Sequence, residues 1–236
     1  MEKIDFPARI NKYIAWRGIA TRRGADELIK KGLVKINGVV AELGVRVNRD
    51  DVVEVDDGQA QKNLEYFLYY KPKDVATNEL ENEQIRKILT SGFFLAGQLE
   101  KESEGLVVIT NDGRLTEPLL HGRYEREYLV ETDRDFHETL ARKIEQGIRI
   151  EGEMTLPCEA KVLSERLISL VLKEEKRHQV KRMFSAIGYD NVRVKRVRIA
   201  NLGSRGMVPE NTKPINGLNR EQFLVLMGLN KDKRLK

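Results

Sequence analysis

The sequence predicts an α+β architecture in two parts: a small αα-β module, then a mixed, largely antiparallel sheet domain with flanking helices. Three observations carry this expectation. Two short runs with helical apolar spacing precede a hairpin signal, Asn37-Gly38 between apolar residues. A polar stretch, DGQAQKN at residues 57–63, then interrupts the pattern with the composition of a linker. Beyond it, strand-like runs outnumber helical ones and do not alternate regularly with them, which argues against a parallel βαβ sheet.

The elements follow in order. From Arg9, residues Ile10, Tyr13 and Ile14 fall on one helical face, and Gly18 stops the helix. A second helix has Thr21 as its N-cap, Ala25, Leu28 and Ile29 inward, and Gly32 at its end. LVKI, the Asn37-Gly38 turn and VVA read as a hairpin, with VRV and DVVEV as further strands. After the polar stretch, EYFLYYK, LVVIT, EYLVET, EAKVL, LISLVL and VRVKRVRIA read as strands. Helices are expected through Phe136, Leu140 and Ile144, through Val180, Met183, Phe184 and Ile187, and through Phe223, Leu226 and Met227 with Asn219 as cap. The tail NKDKRLK is expected to fray.

At 236 residues, with 40% hydrophobic and 33% charged side chains, the chain is long enough for a substantial core and is not disordered in composition. No apolar run has the length of a membrane span, and the start lacks a signal-peptide core. Cys158 is the only cysteine, and with three scattered histidines it forms no zinc pattern. These features point to the cytoplasm, with no membrane and no metal. The net charge of +5 is small, but its distribution is uneven. Residues 9–35 carry eight Lys/Arg against two acids, residues 36–60 two against six, and residues 173–205 ten against three. Two separated basic segments in a nearly balanced chain are the footprint of a phosphate-backbone contact. Two solvated helix faces are the competing reading.

The stretch ARINKYIAWRGIATRRGADELIKKGLVKINGVV resembles an S4 RNA-binding module. The larger part resembles the ribosomal small- and large-subunit type of pseudouridine synthase that carries such a module. YYKPKDVATN is similar to that family's opening strand, AGQLEKESEGLVVITNDG to the segment holding its catalytic aspartate, and YEREYLVET to the one holding its active-site tyrosine. RHQVKRMFSAIGYDNVRVKRVRIANLGSRGM is similar to its third, basic segment. The resemblance implies an S4-like domain over 1–60 and a synthase domain over 65–230. It also implies isomerisation of uridine to pseudouridine in structured RNA, with ribosomal RNA as the expected partner, and no cofactor. Such chemistry asks for a carboxylate near C1′, an aromatic ring to hold a flipped base, and a cation to keep the carboxylate ionised.

Carried over residue by residue, the resemblance makes Glu100, Tyr128 and Lys181 the catalytic candidates. The family's Gly-Arg-Leu-Asp reads Gly97-Gln98-Leu99-Glu100 here, and Lys181 stands where arginine is usual. Lysine keeps the charge but lacks the bidentate fork. The added methylene of Glu100 moves its carboxylate by roughly 1.5 Å, and a misplacement of ~1 Å can cost about 100-fold in rate. Two outcomes stay open at this point: a synthase with a shifted site, or an inactive relative that binds RNA as an assembly factor. A glycosidase-like carboxylate pair among Glu100, Glu102 and Glu104 is disfavoured, because it leaves the basic segments unexplained.

The RNA-binding candidates are Arg9, Lys12, Arg17, Arg22, Arg23, Lys30 and Lys31 in the first part. In the second they are Gln98, Arg177, His178 and Arg182, the last three opening, with Lys181, a helix whose other face carries Val180, Met183 and Phe184. Each has a bland counterpart. EKESE taken alone is a solvated loop, Tyr128 a core tyrosine with a satisfied hydroxyl, and the basic helix a charged surface. Cys158 is expected to be a small buried residue, and Trp16 to pack the first module's core.

Overall fold

The computed structural model describes residues 4–17, 19–56, 64–76, 83–137 and 139–229. The expected linker and the NKDKRLK tail lie outside these residues. The first module contains β1 (Ala8–Arg9), α1 (Ile10–Trp16), α2 (Arg22–Lys30), β2 (Val34–Ile36), β3 (Val39–Val40), β4 (Arg46–Val47) and β5 (Val53–Val55). Thr21 caps α2, its Oγ1 accepting from the Gly24 N–H at 3.0 Å. Asn37 and Gly38 take φ of 50° and 81°, the left-handed pair that a type I′ hairpin between β2 and β3 requires. Ile10, Tyr13, Ile14, Ala25, Ile29 and Val34 form the core, with Trp16 packed partly buried against it.

One expectation needs correction in this module. Arg9 belongs to β1 and not to the helix, because its φ and ψ of −59° and 136° are extended. The expected VRV strand is present as β4, which pairs with β1, Ala8 opposite Val47, apart from the β3-β2-β5 sheet.

The second part contains β6 (Tyr66–Lys71), α3 (Glu83–Thr90), β7 (Phe94–Ala96), β8 (Glu104–Thr110), a 3-10 turn (Gly113–Leu115), α4 (Thr116–His121), β9 (Arg126–Thr132) and α5 (Leu140–Glu145). It continues with β10 (Arg149–Ile150), β11 (Glu153–Met154), β12 (Glu159–Ser164), β13 (Leu167–Leu172), α6 (Gln179–Ser185), β14 (Val192–Ile199), β15 (Leu202–Gly203), β16 (Thr212–Pro214) and α7 (Gly217–Leu226). Among the described residues, nine strands form one mixed sheet. Its path runs β12-β13-β9-β14-β8-β6-β16, with β15 on β14 and β7 on β8. All its described pairings are antiparallel except β14 with β8.

β8 is buried on both faces, which is why LVVIT reads as a continuous apolar run. Leu106 and Val108 face one cluster, completed by Leu115, Leu119 and Phe223; Val107 and Ile109 face another with Tyr69 and Ile85. A third cluster lies under α6, where Val180, Met183 and Phe184 pack against Tyr128, Val130, Ile144 and Leu170. Fully burying side chains of this size contributes about 1.5–3 kcal/mol each.

Some elements differ from expectation. Phe136 precedes α5 and instead packs in tilted contact with Phe184 and Tyr189, with centroids 6.4 and 5.6 Å away. Asn219 lies inside α7, and Asn216 holds the N-cap position. α3, α4, β7, β10, β11, β15 and β16 were not anticipated. β16 is wholly exposed, so it carries no burial alternation to read.

The two parts touch. Ala15 and Ala20 bring their carbonyls against Gly113, where an added Cβ would lie 3.4 and 3.1 Å from those oxygens. Arg22 reaches Glu117 at 3.6 Å across the same junction.

Candidate active site

The register of the sheet sets the site. Leu170 of β13, Tyr128 of β9, Arg196 of β14, Gly105 of β8 and Lys71 of β6 are successive partners across five adjacent strands. Glu100 lies on the short loop that leads into β8, so the one parallel contact places that loop beside β14. Gly105 makes the close approach possible: at φ 118°, a Cβ there would lie 2.2 Å from the Arg196 carbonyl.

Glu100 is held by three groups. Lys181 Nζ is 3.2 Å from its Oε2, His178 Nδ1 is 3.1 Å from its Oε1, and the Ser103 hydroxyl donates to Oε2 at 3.5 Å. The Ser103 N–H also donates to the Glu100 carbonyl, closing the loop into a turn. Lys181 is shared with Glu102 at 2.9 Å. Burial opposes the charge of Lys181, but the hydrogen bonds to Glu102 and Glu100 outweigh it and raise its pKa. The same contact holds the Glu102 carboxyl below its ordinary range. Glu104 faces Lys195 at 3.9 Å.

Tyr128 is buried, and its hydroxyl donates to Glu175 Oε1 at 3.4 Å. Burial, followed by the Glu175 charge, pushes its pKa up, so it remains a neutral donor. Glu175 in turn faces two buried guanidiniums: Arg196 donates from Nη1 at 3.1 Å, and Arg126 Nε lies 2.8 Å away as a charge contact. Arg196 also donates to the carbonyls of Gly97 (2.6 Å), Leu106 (2.7 Å) and Gln98 (3.4 Å), which clamps the loop carrying Glu100. Lys71, fully buried, donates to the carbonyls of Pro72, Val75 and Lys101 and holds the same loop from its other side.

Three of these residues, Glu175, Arg126 and Arg196, were missed by sequence reasoning. A signal existed for the arginines: each occupies an inward phase of its strand, Arg126 with Tyr128 and Val130, Arg196 with Val194. A charge at a core position calls for a buried partner.

The expected RNA contacts divide. Arg9, Lys12, Arg17, Arg22, Arg23, Lys30 and Lys31 are all exposed on the first module. Lys30 is paired with Glu27, and Arg17 donates to the Tyr13 hydroxyl at 3.0 Å. Gln98 and Arg177 are exposed at the rim of the site. Arg182 is partly engaged, by Glu151 and by the Arg177 carbonyl. His178, in the left-handed region at φ 55°, directs its ring nitrogen to Glu100. Cys158 is half-buried, its thiol pushed up to about 11 by burial. Among the described residues no group of three or more His, Cys, Asp or Glu side chains is arranged to hold a metal ion. No described helix is long and apolar enough to cross a membrane.

A two-part chain with a mixed sheet and a carboxylate–cation pair set at its one parallel contact belongs to a definite class. The S4 domain family matches residues 8–53, and the RNA pseudouridylate synthase family matches residues 65–186. This chain belongs to the RNA pseudouridylate synthase family, in its form with an N-terminal S4 domain. It is 38% identical over 216 residues to ribosomal large subunit pseudouridine synthase B of Bacillus subtilis (strain 168), covering 84% of this chain and 88% of that protein. It is 32% identical over 213 residues to the dual-specificity RNA pseudouridine synthase RluF of Escherichia coli (strain K12), covering 86% and 73%. A crystal structure of a pseudouridylate synthase aligns with a TM-score of 0.61 at 26% identity, covering 88% of this chain and 96% of that one. These relatives favour the enzyme over the inactive reading.

Proposed function

We propose that this protein converts uridine to pseudouridine at a site in structured ribosomal RNA. In this reading residues 1–60 dock the RNA backbone and residues 65–230 receive a flipped uridine. The family matches at 8–53 and 65–186, and a separate apolar core on each side, support that division. The ribosomal target draws its support from the large-subunit relative and from the exposed cations of the first module. The cytoplasm is the location that goes with a ribosomal RNA substrate, and the large-subunit relative supports it.

The observation that carries the catalytic reading is the Glu100–Lys181 contact at 3.2 Å. Glu100 supplies the carboxylate at C1′ of the uridine, and Lys181 is its counter-ion. Tyr128 supplies the aromatic surface that holds the detached base while it turns and rejoins through C5. The lysine answers the longer glutamate: an ammonium on a flexible stem follows a displaced carboxylate where a rigid guanidinium fork would not.

Chemical mapping of pseudouridine in ribosomal RNA, from cells with and without the gene, tests this. A site that vanishes on deletion and returns with the wild-type gene is the expected result. Glu100→Ala should not restore it. Glu100→Asp draws the carboxylate back by roughly 1.5 Å, away from Lys181, and should lower the rate about 100-fold. An unchanged map on deletion, or full activity in Glu100→Ala, overturns the assignment.

A further inference from the structure

We propose that Glu175 is a positioning residue of this site, fixing the Tyr128 ring relative to the loop that carries Glu100. The proposal deepens the synthase reading and rests on it.

Glu175 stands where three parts of the site meet. It precedes α6, so it shares a short segment with His178 and Lys181, the two groups on Glu100. Its carboxylate accepts from the Tyr128 hydroxyl on β9. It also accepts from Arg196, and the same guanidinium grips the carbonyls of Gly97 and Gln98 just before Glu100. One carboxylate therefore ties the aromatic strand, the carboxylate loop and the cation segment together. Without it, the Tyr128 hydroxyl would lose its tie to the cation segment, and Arg196 its carboxylate partner.

The segment is itself pinned. The Glu174 carboxylate accepts from the Leu156 N–H at 2.8 Å and from the Gln179 side chain at 2.9 Å, while the Gln179 side-chain oxygen accepts from the Lys176 N–H at 2.7 Å. Glu175 thus has little freedom to move away from its partners. The charges reinforce this, because Arg126 and Arg196 are both buried and face this one carboxylate. Around the Tyr128 hydroxyl the charged groups are Glu175, Arg196 and Arg126.

A plain structural role, neutralising the two arginines, makes a different prediction from a role through Tyr128, and a double-mutant cycle separates them. Glu175→Gln, Tyr128→Phe and the double variant are assayed in single turnover on ribosomal RNA transcribed in vitro. The expected result is that Glu175→Gln lowers the rate about tenfold and leaves RNA affinity within about twofold. The double variant should be no slower than the slower single variant, because both changes act on the same contact, one by removing its charge and the other by removing its donor. Losses that multiply, an undiminished rate, or a loss confined to RNA affinity overturn the proposal.

A second readout needs no substrate. In the RNA-free protein labelled with ¹³Cζ-tyrosine, the Tyr128 resonance, assigned through Tyr128→Phe, should shift on Glu175→Gln; an unmoved resonance overturns the proposal. If Glu175→Gln melts far below the wild type, Glu175→Asp, which keeps the charge but shortens the reach, carries the same cycle and the same outcomes. Inactivity of the wild type on the RNA would count against the synthase reading, whereas the resonance still decides the Glu175 contact.

Discussion

Lys71 shows how far a single side chain can be pushed by its surroundings. It is completely buried, and among the described residues its ammonium donates to the carbonyls of Pro72, Val75 and Lys101. Burial drives its pKa down to about 8 from 10.5. Below about 8 the native and unfolded chains both carry the proton, so the cost of the buried charge is fully present. Between about 8 and 10.5 the native state releases the proton while the unfolded chain keeps it, so stability rises with pH. The opposing groups start later: the Cys158 thiol, raised from 9.0 to about 11, subtracts stability only above 9. Urea unfolding between pH 8 and 9 should therefore show a gain, with a ceiling of about 1.4 kcal/mol per pH unit for one proton. Lys71→Met should abolish that gain and, by leaving three carbonyls without their donor, cost several kcal/mol at about 1–3 each. A flat wild-type profile in that window would contradict the assignment. The sequence offered Lys71-Pro72 only as a motif; that the ammonium is the clasp of the Glu100 loop depends on β6 and β8 lying side by side.

At the scale of elements, the parallel contact between β8 and β14 is the critical joint. Gly105→Ala would drive a methyl group against the Arg196 backbone, at 2.2 Å from its carbonyl and 2.7 Å from its nitrogen. The strands must part, and Arg196 with them. We expect a loss of roughly 3 kcal/mol or more, since strain and overpacking act together, and a loss of activity. Gly206 also has positive φ, 75°, but nothing lies within 4 Å of its Cβ position. Gly206→Ala should cost only the conformational strain, about 1–2 kcal/mol. Equal losses in thermal or urea unfolding would count against a steric joint. Elements with strong local periodicity were legible in advance: α2 with its Thr21 cap, the Asn37-Gly38 hairpin, β8, β9 and α6. Those without it were not. β1 is two residues long and exists only because it pairs with β4, and β16 depends on the edge of β6.

For the whole molecule, the exposed cations of the first module and the site of the second are held in one frame by the junction at Gly113 and Arg22. RNA affinity should then fall linearly in log–log form with salt. Neutralising Arg23, Lys12 and Lys31 together should flatten that slope by about 0.7–0.9 per residue that meets a phosphate. Filter-binding or fluorescence titrations at several salt concentrations check this, and an unaltered slope would remove these residues from the interface.

By itself the sequence determined the two-part plan, the α+β class and the basic first module, and it put forward Glu100, Tyr128 and Lys181 as the candidate site. These properties live in neighbouring residues: period, turn chemistry, local charge and a short motif. Only the tertiary structure decided that Glu100 is met by both Lys181 and His178, that Arg182 leans on Glu151, and that Glu175 joins Tyr128 to two buried arginines. The physical reason is that a buried charge is stabilised by whatever strand the sheet sets beside it. That neighbour is chosen by register across β9, β14 and β8, and not by proximity along the chain.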